Sequence, residues 1–111
     1  MMKIGIDIEE VKRFKNLIKN KAFLKRVFSQ TETDYCLSKK NSAEHFAVRF
    51  SGKEAVWKAL NNSKIQITSI SFKNLKNGSP VVFINNKKIS NIQVSFSHTK
   101  TTVVAVAILE D

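Results

Sequence analysis

Two carboxylates far apart in the sequence, Asp7 and Glu54, are the residues whose types and surroundings most clearly indicate chemistry. Glu54 lies in the segment Ser42–Leu60, where large apolar residues recur at helical spacing: Phe46, Phe50, Trp57 and Leu60. It falls inside this apolar arc, one turn before the cationic Lys58. A carboxylate in that position must be paired, protonated or bound to a metal. A helix salt bridge between Glu54 and Lys58 is the alternative.

The second carboxylate belongs to an N-terminal segment that alternates between two kinds of residue. Ile4, Ile6 and Ile8 alternate with Lys3, Gly5 and Asp7, which predicts a strand whose isoleucine face is buried. Asp7 then points to the opposite face, where Gly5 leaves room for a backbone or a ligand to approach. Two carboxylates together with phosphate oxygens and waters form a ligand set that Mg²⁺ prefers. The alternative is that Asp7 caps the helix that follows.

The first half of the chain, which must position these residues, has mostly helical patterns. We expect helical segments over 11–19 and 22–28, and a helix that starts near Thr31, with Thr31 as its cap and Asp34 three residues later. The Glu54 helix should stop at Asn61-Asn62, because asparagine leaves the helical region readily. We expect Trp57 and the phenylalanines to belong to the core.

The second half of the chain has the patterns of strands and turns. The apolar alternation of Ile65 to Phe72 slips in phase, which predicts a bulge or a bend near Thr68-Ser69. Further strands are expected at 81–84 and 92–96, with turns at Asn77-Gly78 and Asn85-Asn86. The segment 101–109 is apolar on both faces and should be a central strand. The pattern predicts an α+β fold, with helices packed on one side of a mostly antiparallel sheet, in a single domain spanning 1–111.

Charge and cysteine content limit the partners and the compartment. The 111 residues include 19 Lys plus Arg against 9 Asp plus Glu, a formal charge of +10, which favours an anionic partner or reflects a lysine-rich host. A small basic nucleic-acid-binding domain is the alternative, but the aromatic residues follow core periodicity. Cys36 is the only cysteine, so no internal disulfide forms, and no apolar run could span a bilayer. We expect a cytoplasmic protein without membrane contact.

Five segments of the chain, in order, resemble the holo-acyl-carrier-protein synthases, the small bacterial 4′-phosphopantetheinyl transferases. They are G-I-D-I-E-E-V-K-R-F (5–14), F-S-Q-T-E-T-D-Y-C (28–36), F-A-V-R-F-S-G-K-E-A-V-W-K-A (46–59), N-G-S-P (77–80) and V-S-F-S-H-T (94–99). The resemblance covers nearly the whole chain. It departs from the family after the K-E-A-x-x-K helix, where a shorter Asn61–Lys64 loop replaces the usual glycine-rich link.

The resemblance implies a reaction and a catalytic set. The family transfers the phosphopantetheine arm of coenzyme A to a serine of apo acyl carrier protein, for fatty acid biosynthesis, and releases adenosine 3′,5′-bisphosphate. By this resemblance Asp7 and Glu54 bind Mg²⁺ and Lys58 meets the leaving phosphate. Glu54 or a metal-bound water is the base, and the sequence does not separate them. An inactive scaffold is a further alternative, although Asp7, Lys53, Glu54 and Lys58 are all intact.

The resemblance also implies binding residues and an assembly. Arg49 and His98 match positions near the 3′-phosphate, and Ser97 and Lys53 are further phosphate candidates. Gly78 and Pro80 match a turn that lies against adenine. Arg13 matches the residue that docks the acidic helix of the carrier, although a solvated basic face is the alternative. The implied assembly is a homotrimer with each site between subunits, for which the apolar face around Phe83 and Phe96 is one candidate interface.

Overall fold

The computed structural model describes residues 1–74 and 80–110. Its helices are α1 (Val11–Leu17), α2 (Lys21–Val27), α3 (Gln30–Leu37) and α4 (Ser42–Leu60). Its strands are β1 (Met2–Glu10), β2 (Ile70–Asn74), β3 (Pro80–Ile84), β4 (Lys87–Lys88), β5 (Ile92–His98) and β6 (Thr102–Glu110). Within these ranges, no helix combines the length and the apolar character needed to cross a bilayer.

The strands form antiparallel sheets, which confirms the predicted α+β class. In the described part of the chain there are two three-stranded sheets, ordered β1-β6-β5 and β2-β3-β4, where the sequence predicted one. Strand β6 is central in the first sheet, as its two apolar faces predicted. Helix α4 packs on one face of this sheet, and its second half shares a core with β2, β5 and β6.

Helix α4 lies directly on β1 because Gly5 has no side chain. A Cβ atom at Gly5 would lie 1.9 Å from the carbonyl oxygen of Ala55 and 2.7 Å from the amide nitrogen of Ala59. Any larger residue would force the helix away from the strand. The expectation that Gly5 admits another backbone is therefore confirmed, and Asp7, which shares its face, is brought against α4.

The isoleucine face of β1 is exposed in the single chain, so the predicted burial is wrong. Ile4, Ile6 and Ile8 are 68%, 60% and 64% exposed, while Gly5 and Glu9 on the other face are buried. The alternation correctly identified a strand, but it cannot tell which face a helix covers. The small Gly5 decides this, because it allows the closest approach of α4.

Three further local predictions need correction or refinement. Helix α3 is capped by Ser29, which forms a capping box with Glu32, so Thr31 is not the cap. Trp57 is 37% exposed, and its indole nitrogen donates to the carbonyl oxygen of Ile65 at 2.9 Å, so it is not a core residue. The bulge or bend predicted before β2 is narrowed to a bend, because the phase slip arises from a 3₁₀ turn over Ile67–Ser69.

Asparagines end two elements as predicted. Helix α4 stops at Asn61, which adopts a left-handed conformation with φ of 49°. Asn85 and Asn86, with φ of 52° and 66°, form the tight turn between β3 and β4. The predicted turn at Asn77-Gly78 lies outside the described residues.

Candidate active site

Asp7 lies between β1 and α4 with one carboxylate oxygen unpaired. Its Oδ1 atom is 3.5 Å from the ammonium nitrogen of Lys58, and its side chain is largely buried. Its Oδ2 atom is buried and accepts no hydrogen bond from the described residues. The N-cap of α1 is Glu10, so the alternative role of Asp7 as the cap is wrong. A buried carboxylate oxygen without a partner is costly unless a cation or a donor from a ligand meets it.

Lys58 reaches from the last turn of α4 to the strand. Its ammonium donates to the carbonyl oxygen of Ile6 at 3.0 Å and to Asp7, while half of its side chain remains exposed. Among the described residues its ion pair is with Asp7 and not with Glu54, so the alternative of a Glu54–Lys58 salt bridge is wrong. Lys58 can therefore neutralise Asp7 and still meet an incoming phosphate.

Glu54 lies on α4 one turn before Lys58 and feels the charge of Asp7. Burial raises the pKa of the Glu54 carboxyl, and the negative charge of Asp7 raises it further. The charges of Lys58 and Arg13 oppose this rise. The strand and the helix bring together the two carboxylates that the sequence singled out, because Ser51 and Lys58, one turn before and one turn after Glu54 on α4, both contact Asp7. Their mutual repulsion favours a bound cation.

Glu9 is a third acidic residue of this region, and the sequence interpretation missed it. It is buried on the same face of β1 as Asp7, and its Oε1 accepts from the Nη1 atom of Arg13 at 2.7 Å. Burial raises the pKa of Glu9 to about 7, a side-chain hydrogen bond to Asp7 and the charge of Asp7 raise it further, and Arg13 opposes the rise. Asp7 therefore lacks a donor from Glu9 only while the Glu9 carboxyl is ionised. The signal was available, because residues i and i+2 of a strand share a face.

Arg13 is fixed on the first turns of α1, at the rim of the carboxylate cluster. Its guanidinium pairs with Glu9 and lies 5.9 Å and 5.8 Å from the ring centroids of Phe14 and Phe50. About half of the side chain is exposed. Arg13, which the sequence predicted to dock a carrier protein, thus has a guanidinium that is fixed in place and accessible to solvent.

Lys53 has a structural position, which does not support the prediction that it binds phosphate. Its side chain is fully buried, with the ammonium nitrogen 2.8 Å from Oε1 of Glu32. It also donates to the carbonyl oxygens of Ile67 and Ile70. Burial lowers the pKa of Lys53, while the charge of Glu32 opposes that effect. All of the donors of this ammonium are engaged inside the protein.

The two predicted phosphate ligands Arg49 and His98 lie near the first half of α4. The Arg49 guanidinium stacks over the Tyr35 ring, 4.5 Å from its centroid, and donates to the carbonyl oxygen of His45 at 3.5 Å. His98 lies 3.4 Å, Nδ1 to Oε1, from Glu44, where an open pocket of about 480 Å³ is also lined by Thr99 and Lys100.

Two cations act on His45 near Arg49. Burial lowers the pKa of His45, the charges of Arg49 and Lys39 lower it further, and the charge of Glu44 opposes them. Such a concentration of positive charge favours an anionic ligand.

The remaining predicted residues are distributed differently. Ser97 pairs with Val104 on the sheet face opposite Asp7, so the structure does not place it with the carboxylates. Pro80 opens β3 opposite Asn74. Gly78 lies outside the described residues.

The carboxylates fit a magnesium ion whose coordination is completed by a ligand. Within residues 1–74 and 80–110, no group of three His, Cys, Asp or Glu side chains is arranged as a metal site. Asp7 and Glu54 supply two acidic side chains, and the buried Oδ2 of Asp7 lacks a donor. Mg²⁺ commonly binds through one or two carboxylates together with substrate phosphates and waters, and the Asp7–Glu54 donor set is compatible with that mode of binding.

Comparison with known proteins places this geometry in a family context. The model of the 4′-phosphopantetheinyl transferase superfamily matches residues 3–108. The holo-[acyl-carrier-protein] synthase of Chloroherpeton thalassium is 38% identical, with 98% of each chain covered. That of Caldicellulosiruptor saccharolyticus is 42% identical, over 96% of this chain and 94% of the relative.

Solved structures agree with the sequence relatives. The Bacillus anthracis holo-(acyl-carrier-protein) synthase, crystallised in complex with CoA (3′,5′-ADP), superposes with a TM-score of 0.83 at 28% identity. The alignment covers 100% of this chain and 99% of that chain. The Neisseria meningitidis synthase superposes with a TM-score of 0.83 at 26% identity, with 98% of each chain covered.

Proposed function

Because the chain belongs to the 4′-phosphopantetheinyl transferase superfamily, we propose that Asp7, Glu54 and Lys58 are the residues that carry out its transfer reaction. The enzyme transfers the 4′-phosphopantetheine arm of coenzyme A to a serine hydroxyl of apo acyl carrier protein. The observation that supports this set is the convergence of Asp7 and Lys58 beside Glu54, with one Asp7 oxygen buried and unpaired.

The reaction requires a proton transfer and the neutralisation of a leaving phosphate. The serine oxygen forms a bond to the phosphorus that bears the pantetheine arm, and the bond from that phosphorus to the oxygen bridging the two phosphates breaks. Glu54 takes the serine proton, because burial and the charge of Asp7 raise the pKa of its carboxyl. Lys58, half exposed and held by the carbonyl oxygen of Ile6, donates to the phosphate of the departing adenosine 3′,5′-bisphosphate.

Asp7 and Glu54 would together hold Mg²⁺. When bound, the ion neutralises charge on the pyrophosphate oxygens and orients them. The role of Asp7 is to present Oδ2 at a fixed place, because strand β1 is locked against α4 at Gly5. Without a cation, the charge of Asp7 disfavours the ionised form of Glu54.

The cationic residues around the cluster bind the two substrates. Arg49, stacked on Tyr35, and His98, in its pocket beside Lys100, are suited to the 3′-phosphate of coenzyme A. Arg13 is suited to an acidic surface of the carrier, since its guanidinium is held at the rim and half exposed. The formal charge of +10 favours both anionic partners.

The exposed apolar face of β1 supports a homotrimer. Three isoleucine positions of β1 pair directly with apolar residues of β6 and form one outward face: Ile4 with Ile108, Ile6 with Val106 and Ile8 with Val104. A continuous apolar face of this kind is usually buried between subunits. Phe96 packs against Phe72, so the isoleucine face of β1 is a better candidate interface than the face around Phe83 and Phe96.

Light scattering after size exclusion tests this assembly. It should give the mass of three chains for the wild type and of one chain for Ile6→Lys.

Intact mass measurement of a purified apo acyl carrier protein tests the proposed reaction. Incubation with this protein, coenzyme A and magnesium should add the mass of one phosphopantetheine arm, and a chelator should prevent the gain. A carrier whose acceptor serine is replaced by alanine is the matched control and should gain nothing. No gain with several intact carriers would contradict the proposal and favour an inactive scaffold.

A further inference from the structure

Glu9 is a buried carboxylate that the reaction described above does not use. Its side chain faces inward between β1 and the helices, two residues from Asp7 and on the same face. Burying a charged group costs free energy unless a partner of opposite charge compensates it. Its partner is Arg13, whose Nη1 donates to Oε1 at 2.7 Å.

The guanidinium of Arg13 is held by more than this hydrogen bond. It lies over the rings of Phe14 and Phe50, so the aromatic core supports its underside while Glu9 fixes one edge. The exposed half of the side chain faces solvent, and the guanidinium lies on the Asp7 side of β1 because its partner Glu9 shares a strand face with Asp7. An arginine held in this way loses less conformational entropy on binding than a free one.

We propose that Glu9 is a positioning residue for carrier docking, which holds the Arg13 guanidinium at the edge of the catalytic carboxylates. This inference rests on the proposed function, because it assumes that the acidic surface of a carrier protein binds Arg13. It adds that the docking cation and the catalytic aspartate are anchored by one strand, since Asp7 and Glu9 both project from β1. The carrier serine is thereby delivered at a fixed distance from the reacting centre.

Kinetic and binding measurements on Glu9→Ala test this role. The variant should raise both the KM for apo carrier and the Kd for a carrier with alanine at the acceptor position by about three- to tenfold, because Arg13 must then be immobilised on binding. The KM for coenzyme A should stay at the wild-type value, and the kcat should change less than the carrier KM, since Glu9 also interacts with Asp7. Glu9→Gln should fall between wild type and Glu9→Ala, since its amide oxygen still accepts from Arg13.

The matched control is a surface carboxylate outside β1. Asp34 on α3 is exposed and accepts a hydrogen bond from Nε2 of Gln30, so Asp34→Ala should leave every constant unchanged. The double variant R13A/E9A should bind the carrier as R13A alone does, because Glu9 acts through Arg13.

Different results would overturn different claims. An unchanged carrier Kd in Glu9→Ala, or additive effects in the double variant, would overturn the Glu9 inference. The proposed function would still stand in that case, provided that the wild-type chain transfers the arm. A fall in kcat at constant carrier KM would also overturn it, since that pattern indicates a direct role at the reacting centre. A wild-type chain that transfers nothing would overturn the proposed function itself.

If Glu9→Ala does not fold, Glu9→Gln is measured in its place. A wild-type carrier Kd in Glu9→Gln would contradict the inference.

Discussion

Two lysine–carboxylate pairs involve the same helix, α4, and their surroundings differ in a way that separates structure from chemistry. In the Glu32–Lys53 pair, the nitrogen and oxygen are 2.8 Å apart and the lysine is fully buried. Two backbone carbonyl oxygens accept hydrogen bonds from the same ammonium group. In the Asp7–Lys58 pair, the atoms are 3.5 Å apart, the lysine is half exposed and one aspartate oxygen is unpaired.

The comparison shows that a buried polar atom without a hydrogen-bond or charge partner in the protein indicates a ligand site. Lys53 and Glu54 are consecutive residues of one motif, but the helix directs Lys53 into the protein and Glu54 toward Asp7. The ammonium of Lys53 is saturated, so its contribution is to the free energy of folding. The carboxylates of Asp7 and Glu54 repel each other, so their natural partner is a cation or a transferred proton.

The largest effect should come from removing the charge of Glu54. Glu54→Gln should lower kcat by more than about 100-fold, because both the proton acceptor and one metal-binding carboxylate are lost. Steady-state transfer to apo carrier protein measures this. The thermal midpoint should not fall, since the amide relieves the repulsion with Asp7. Turnover at the wild-type rate would contradict the assignment.

Breaking the buried pair should affect stability and not chemistry. Glu32→Gln should lower the free energy of unfolding by about 3–5 kcal/mol, because Lys53 is left buried without a counter-charge. Urea unfolding measures the change. Replacing both partners, as in E32L/K53M, should recover much of the loss. The folded fraction of Glu32→Gln should keep its kcat, and a specific loss of kcat would show that this pair takes part in the reaction.

Lys58→Ala should give the opposite pattern. We expect kcat to fall about ten- to 100-fold, because the leaving phosphate loses its nearest cation. The free energy of unfolding should fall by less than about 1 kcal/mol, since a half-exposed ion pair contributes little. Transfer kinetics and urea unfolding on the same preparation separate the two effects. A large stability loss with normal kcat would place Lys58 in the same class as Lys53.

The smallest effect concerns the rim of the site. Arg13→Glu should raise the KM for carrier protein by about tenfold through repulsion of its acidic surface, while the KM for coenzyme A stays unchanged. Lys12→Glu changes the charge of the neighbouring exposed residue on the same helix and serves as the control. Equal effects of the two variants would indicate a general charge effect and rule out specific docking by Arg13.

The sequence identified the reactive residues better than their surroundings. Asp7 and Glu54 were recognisable because each combines an apolar pattern with a charge out of place, and the structure brings them together. Lys53 was assigned to phosphate binding, since helical periodicity alone does not reveal that Glu32 of α3 lies opposite. Glu9 was missed although its spacing from Asp7 in a strand was informative.

The fold class followed from periodicity, but the choice of the covered face did not. Alternation in β1 is symmetrical between its two faces, and the isoleucines were assigned inward because apolar residues usually are. The contact of Gly5 with the backbone of Ala55 decides otherwise, and it depends on a helix fifty residues later. The proposed trimer would cover the apolar face on the other side.

Manganese binding, followed by the electron paramagnetic resonance of free Mn²⁺, tests the central claim most directly. With coenzyme A present, the wild type should bind one Mn²⁺ per chain. Asp7→Asn and Glu54→Gln should each weaken binding by more than about tenfold. The folded fraction of Glu32→Gln should bind as the wild type does. Wild-type affinity in Glu54→Gln would contradict the account, because Asp7 and Glu54 would then not be the pair that holds the ion.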